Sequence, residues 1–336
     1  MSDALSTQIH LAARPDGWPT PDDFRTVRCE LAPLAAGEVR VKNEFLSVDP
    51  YMRGRMNDVR SYVPPYALGE TIQGGAIGRI VASAADGFAV GDAVLHQHGW
   101  SDLVQADAAT FRVVPETPGV PLSLRLHVLG MTGLTAYVGL TAIAQLREGD
   151  TVFVSGAAGA VGTAVGQIAR LLGAGRVIGS AGSAEKVALL TGKYGFDAAF
   201  NYRDGDVRGQ LAQAAPNGID VFFDNVGGDH LEAALDAFAD GGRAALCGAI
   251  SGYNSETAVP GPDNLANIIT RGLKLEGFTI GNHLGHAPEF QARMAQWLAA
   301  GEIAYDETIV DGIERTVDAF LDMMRGANTG KMLVRV

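Results

Sequence analysis

The chain has 336 residues with 26 basic and 38 acidic side chains, a formal net charge of −12, and is 47% hydrophobic and 19% charged. That balance excludes a disordered chain and a membrane bundle, and the acidic surplus excludes a protein held on nucleic acid or anionic lipid through a basic face. Two cysteines, Cys29 and Cys247, cannot build a disulfide framework or a four-thiolate zinc site, so a reducing cytoplasm is the expected compartment.

The first residues lack a basic end followed by an apolar stretch, so no signal peptide is expected. Glu38–Pro50 alternates apolar and polar residues before ending in Asp49-Pro50, a strand-and-turn signature. The segment from Gly74 to Ala106 reads as short strands divided by Gly and Asp turns, as in a small antiparallel barrel or sandwich. From about residue 130 the rhythm changes to a helix and then alternating strands and helices, which implies parallel strands in a doubly wound α/β sheet. Val128–Leu146 and Thr151–Ala169 are uncharged and long enough to span a bilayer, but Gly, Ala, Thr, Ser and Gln dilute them, and a soluble strand and helix are expected instead. A last helix near Ile313–Arg325 and the strand "KMLVRV" close the chain.

Within this alternation, "TVFVSGAAGAVGTAVGQIARLLGA" places Gly156, Gly159 and Gly162 between an apolar strand and an amphipathic helix. A dinucleotide pyrophosphate needs such a turn, because the backbone must approach closely and the helix N-terminus supplies amides and positive dipole. The order is G-x-x-G-x-x-G rather than the usual G-x-G-x-x-G. The next strand, "RVIGSAGS", ends in Ser180, Ala181, Gly182 and Ser183 with Lys186 just beyond, where an NAD site would carry an acid for the ribose hydroxyl. An ammonium in a small polar turn suits a 2′-phosphate, so NADP is the expected cofactor. Glu185 reads as a helix-capping residue.

Catalytic zinc is not expected. The seven histidines have no partner cysteines, and His96 and His98, though spaced like ligands, lack a nearby carboxylate and read as barrel-edge polar residues. Nucleophile-elbow, P-loop and HExxH patterns are missing as well.

The blocks "SVDPYMRGRM" (47–56), "GMTGLTAY" (130–137), "GAAGAVGTAVGQIA" (156–169), "GSAEK", "FNYR", "FDNVGG", "CGAISGYN" (247–254), "GPDNL", "LEGF" and "GANTGKMLV" (326–334) follow in order. Together they resemble the zinc-independent medium-chain reductases of the prostaglandin reductase, leukotriene dehydrogenase and alkenal double-bond reductase family. The resemblance runs from about residue 40 to the C-terminus. It implies a GroES-like barrel domain over 1–126 and 300–336, a Rossmann domain over 127–299, and NADPH-dependent reduction of the carbon–carbon double bond of α,β-unsaturated ketones and aldehydes. By the same resemblance Gly159, Ala160, Val161 and Gly162 hold the pyrophosphate, and Ser183, Lys186 and Tyr202 the 2′-phosphate end. Asn225 meets the cofactor at a strand end, while Cys247, Gly248, Ala249, Ile250, Ser251 and Tyr253, with Phe278, Thr279 and Ile280, line the nicotinamide side. Asn328 reaches back from the tail.

Such a reaction needs a donor aimed at the carbonyl oxygen. Tyr253 is the first candidate, and Tyr51 is either a second or a pocket wall. Cys247 reads as a small thiol beside the cofactor rather than a nucleophile. A quinone oxidoreductase of the crystallin-like branch is the alternative enzyme, and a non-catalytic NADPH sensor the alternative class. "SVDPYMRGRM" and "CGAISGYN" favour the alkenal branch. A small-molecule substrate and a homodimer are expected, paired through an edge strand supplied by "RAALCGAI" or "KLEGFTIGN".

Overall fold

The computed structural model describes residues 4–257 and 259–336. The chain divides into two compact units, Met1–Leu126 with Glu307–Val336, and His127–Asp306.

In the second unit six parallel strands form one sheet in the spatial order Ala198–Asn201, Arg176–Ala181, Thr151–Val154, Ile219–Asp224, Phe238–Leu246 and Lys274–Gly277. Counted along the unit this is the order 3-2-1-4-5-6, with its switch point between Thr151–Val154 and Ile219–Asp224. The doubly wound sheet expected from the sequence is thus present. Its central strands are apolar runs because helices cover both faces. Phe153 and Phe222 stack at 5.1 Å between ring centres, and with Ile178, Leu211, Leu235 and Phe238 they fill one face.

The span-length stretches resolve into short elements: the helix Met131–Val138, the strand Thr151–Val154 and the helix Ala160–Leu171. Among the described residues no helix is long and apolar enough to cross a membrane.

The candidate edge strands separate clearly. Phe238–Leu246, which holds the first half of "RAALCGAI", pairs on both sides, with Ile219–Asp224 and with Lys274–Gly277. Its backbone groups are used within the sheet, so it cannot offer a free edge. Lys274–Gly277 stands at the end of the order and can.

The first unit holds a sheet in the order Glu307–Asp311, Lys331–Arg335, Glu38–Ser47, Ala76–Ser83, Ala93–His96 and Arg112–Val113, with Leu103–Asp107 also paired to Glu38–Ser47. Leu5–Leu11 and Phe24–Glu30 form a separate antiparallel pair. The C-terminal strand Lys331–Arg335 lies antiparallel to Glu38–Ser47, matching Leu333 with Ser47, which brings the start of this last strand beside the Asp49-Pro50-Tyr51 turn.

One buried ion pair ties the second sheet to the loop that enters it. The Arg243 guanidinium meets the Asp150 carboxylate, its Nε donates to Ala144 O at 2.8 Å, and both side chains are about nine-tenths buried. Removing one partner of such a pair strands the other charge away from water. Arg243→Met is therefore expected to lower unfolding stability by about 3–5 kcal/mol, measured by denaturant melts, whereas a loss under about 1 kcal/mol would mean the pair behaves as a surface contact.

Candidate active site

The glycine turn is built as the phosphate-binding reading requires. Gly156 takes φ +58° directly after the first strand and its Ser155, a conformation that a side chain would strain. Gly159 caps the helix Ala160–Leu171, whose first turn holds Ala160, Val161 and Gly162. A Cβ on Gly162 would fall 2.5 Å from Gly156 O, so only glycine lets the helix start this close to the turn. The departure from the usual spacing leaves the division of labour intact: Gly156 makes the turn, Gly162 packs the helix on it, and Gly159 lies at the open N-terminus between them.

Beside this turn lies a cationic corner. Ser183 is the N-cap of Ala184–Gly192, with its Oγ accepting from Lys186 N at 3.3 Å. The Tyr202 ring lies over Gly182, where a Cβ would meet its hydroxyl at 2.7 Å, and His230 touches the ring edge-on at 5.4 Å. Burial pushes His230 down to about 4, so it stands neutral behind the tyrosine. Burial, and then the positive charge of Arg203, hold Lys186 below the ordinary lysine range. Two cations that repel each other beside a helix N-terminus are the donor set a 2′-phosphate needs. Arg203, whose guanidinium lies 5.8 Å from the Tyr202 ring centre, was given no role from the sequence, where it only closes the block "FNYR".

At the switch point the organiser is Asp224, also missed in the sequence. Its Oδ1 accepts from Ser155 Oγ at 2.8 Å and from Val226 N and Gly227 N at 2.9 Å each. Burial raises the carboxyl and these three donors pull it back. Ser155 Oγ accepts in turn from Asn225 N, and Asn225 Nδ2 donates to Ser155 O, each at 2.8 Å. Asn225 is thereby fixed between the two strand ends.

Residues 247–253 run alongside. Cys247 N and Gly248 N donate to Asp224 O, Ile250 N to Asn225 O and Ser251 N to Val226 O. The chain then folds back so that the Tyr253 hydroxyl accepts from Ala249 N at 3.3 Å, leaving its own proton to donate. Burial raises the Tyr253 phenol, and burial with Asp224 pushes the Cys247 thiol up to about 12, which keeps it a neutral thiol. Phe278 N donates to Leu246 O, its ring abuts Phe223 and His283, and Thr279 caps the short helix Ile280–His286. The residues assigned to the cofactor within this unit thus all follow the carboxyl ends of its parallel strands, where open α/β sheets bind ligands.

Tyr51 and Asn328 belong to the other unit. Tyr51 opens the helix Tyr51–Arg55, and burial, then the Asp49 charge, raise its phenol far above the ordinary range. Asn328 Nδ2 donates to Gly330 O at 2.8 Å in the tail turn. His96 is buried, pairs through Nε2 with Asn43 Oδ1 at 2.8 Å and accepts from His98 N at 3.2 Å through Nδ1, so both ring nitrogens are engaged in structure. Among the described residues no three His, Cys, Asp or Glu side chains come together as a metal site.

Sheet order, glycine turn and paired cations define a dinucleotide-binding unit, and similarity to known proteins narrows the class. One family model, described as the N-terminal domain of oxidoreductase, matches residues 7–114, and another, described as zinc-binding dehydrogenase, matches 160–300. NADPH-dependent curcumin reductase of Escherichia coli is 41% identical, covering 97% of this chain and 95% of its own. The NADP(+)-dependent 2-alkenal reductase of Nicotiana tabacum is 38% identical over 98% and 97%. The crystal structure of CurA from Vibrio vulnificus in complex with NADPH superposes with a TM-score of 0.93 at 41% identity, covering 98% of this chain and 99% of that one. The chain belongs to the alkenal and prostaglandin reductase family of NADP-dependent medium-chain dehydrogenase/reductases.

Lys186→Ala and Arg203→Ala are each expected to raise the KM for NADPH by about 10- to 100-fold, the worth of one charge-assisted hydrogen bond, while leaving the KM for NADH within about twofold. Steady-state titration of both cofactors checks this, and equal losses with NADH would place the two cations outside the 2′-phosphate site.

Proposed function

We propose that the protein uses NADPH to reduce the carbon–carbon double bond of α,β-unsaturated aldehydes and ketones. Full-length similarity to a protein named 2-alkenal reductase carries the reading. Bound NADPH would supply a hydride to the β-carbon; the C=C electrons would pass to the carbonyl oxygen as an enolate, and a proton from water at the α-carbon would restore the carbonyl and complete the saturated product. In this reading the turn at Gly159–Gly162 binds the pyrophosphate, and Ser183, Lys186, Tyr202 and Arg203 take the 2′-phosphate. Asn225, the segment 247–253, Phe278–Ile280 and Asn328 orient the nicotinamide end.

The growing oxyanion needs a donor that stays protonated and does not react. Tyr253 and Tyr51 have that character, since burial raises both phenols. Each would strengthen its hydrogen bond as charge builds on the oxygen, which lowers the barrier rather than merely binding the ground state. The Cys247 thiol, held near 12, is unsuited to nucleophilic attack at neutral pH and acts as a wall.

The protein acts in the cytoplasm as a homodimer in this proposal, extending the sheet through the free edge of Lys274–Gly277. A long-exposed neighbour supports that surface: Ile269, in the helix just before this strand, is 84% exposed. Light scattering should give the mass of two chains, and the mass of one would remove the dimer from the proposal.

The decisive assay follows NADPH oxidation with a medium-chain 2-alkenal or enone in one cell and a simple quinone in another. Enone turnover giving the saturated carbonyl product is expected. Turnover of the quinone alone would move the protein to quinone reduction, and tight NADPH binding without turnover would favour a sensor. Tyr253→Phe and Tyr51→Phe should each lower kcat about 10²- to 10³-fold if that phenol is the donor, with NADPH affinity kept. A rate unchanged in one variant removes the donor role from that tyrosine.

A further inference from the structure

The tail strand begins with a lysine that the reaction scheme above does not use. Lys331 is 1% exposed, and its Nζ donates to Asp49 Oδ1 at 3.1 Å, Val48 O at 2.8 Å and Met332 O at 2.9 Å. All three ammonium protons are thus spent inside the protein. Asp49 is 5% exposed and its other oxygen accepts from Ser47 Oγ. The two charges lie 282 residues apart in the chain and meet because Lys331–Arg335 docks against Glu38–Ser47.

A pair buried this deeply contributes little net stability, since desolvation offsets most of the attraction and an apolar pair of the same volume would serve the fold as well. Its position is more informative. Asp49 stands two residues before Tyr51, its carbonyl accepts from Met52 N at 3.2 Å, and its charge acts on the Tyr51 phenol. An uncompensated carboxylate here would oppose any negative charge growing beside that phenol. The Asp49 charge already acts on the Tyr51 phenol with Lys331 in place, so loss of the ammonium would be felt in the rate.

We propose that Lys331 is a positioning residue for the reaction: its ammonium holds Asp49 in place and offsets part of its charge, so that Tyr51 meets the substrate oxygen beside a fixed and partly compensated carboxylate. This rests on the reading of Tyr51 as an oxyanion donor. Its consequence is a rate effect carried through Tyr51, not a loss of cofactor affinity.

The test is a double-variant cycle on the full-length protein with NADPH and a 2-alkenal, reading kcat, both KM values and the melting temperature. Lys331→Met should lower kcat about 10- to 100-fold, less than loss of a direct donor, with the KM for NADPH unchanged. Adding Asp49→Asn to Lys331→Met should restore kcat to within a few-fold of wild type, because no charge is left to cancel. In a Tyr51→Phe background, Lys331→Met should cost no more than about a further twofold.

A wild-type kcat for Lys331→Met overturns the proposal. So does a loss that Asp49→Asn fails to recover, or one of equal size in the Tyr51→Phe background, since either describes a residue that only supports the fold. If Lys331→Met does not fold, Asp49→Asn/Lys331→Met is compared with wild type: a kcat within a few-fold sustains the charge argument and a much slower double variant sinks it. A Tyr51→Phe enzyme at wild-type rate removes the donor reading of Tyr51 itself, whereas a slow Tyr51→Phe with a fast Lys331→Met removes only the role given to Lys331.

Discussion

The Asp224 carboxyl accepts from Ser155 Oγ and from two consecutive amides at the point where the parallel sheet changes direction, and the nucleotide end of the second unit is arranged around it. Its carbonyl takes Cys247 N and Gly248 N, so one residue binds three chain segments that come from different strands. A buried carboxyl is costly unless its lone pairs are filled. Here the filling groups are the Ser155 hydroxyl and two backbone amides of the strand-end loops, so the cost of burial becomes a reason for those loops to keep one geometry. Asn225 inherits its orientation from this network through Ser155.

The first unit contains a counterpart. Lys331 and Asp49 are buried together, with Ser47 and two carbonyls completing their hydrogen bonds, and Tyr51 follows immediately. In both units a buried acid precedes or neighbours a residue proposed for the site, and in both one donor to the acid comes from far away in sequence. Local structure alone could not hold either: Tyr51–Arg55 is a single short helical turn, and 250–252 is another. Such turns are marginal without tertiary support. Long-range polar contacts supply it, and they make the site depend on the completed fold.

Much of the fold was legible in the sequence because it is written in local signals. Alternating apolar strands and helices gave the doubly wound sheet, and glycines in a strand–turn–helix context marked the phosphate turn. The missing acid after the second strand, with Lys186 nearby, pointed to NADP. What was not legible depends on pairing. "RAALCGAI" and "KLEGFTIGN" look equally suited to an edge, and only the sheet order shows that the first is interior. Arg203 gains meaning only when its strand is set beside Lys186. Asp224 sits visibly in "FDNVGG", yet its carboxyl could as well have faced solvent; three donors converging from two segments decide otherwise. Lys331 lies within the tail motif "GANTGKMLV", where nothing local signals that its charge is buried.

These placements divide the molecule's charges by task. At the proposed phosphate end Lys186 and Arg203 lie close enough to repel, an arrangement that favours binding a dianion. Among the residues proposed for the chemistry ionisation is suppressed, unit by unit: burial holds Tyr253 and Cys247 neutral in the second, and Tyr51 in the first, where Asp49 is paired with Lys331. A fixed cation at the substrate oxygen would stabilise an enolate so far that its protonation would slow. A neutral phenol strengthens its hydrogen bond only in proportion to the charge that develops, and it yields the oxygen again once the α-carbon takes a proton. Affinity for cofactor can therefore be high while the reacting carbonyl is handled weakly in the ground state, and that separation is the condition for turnover.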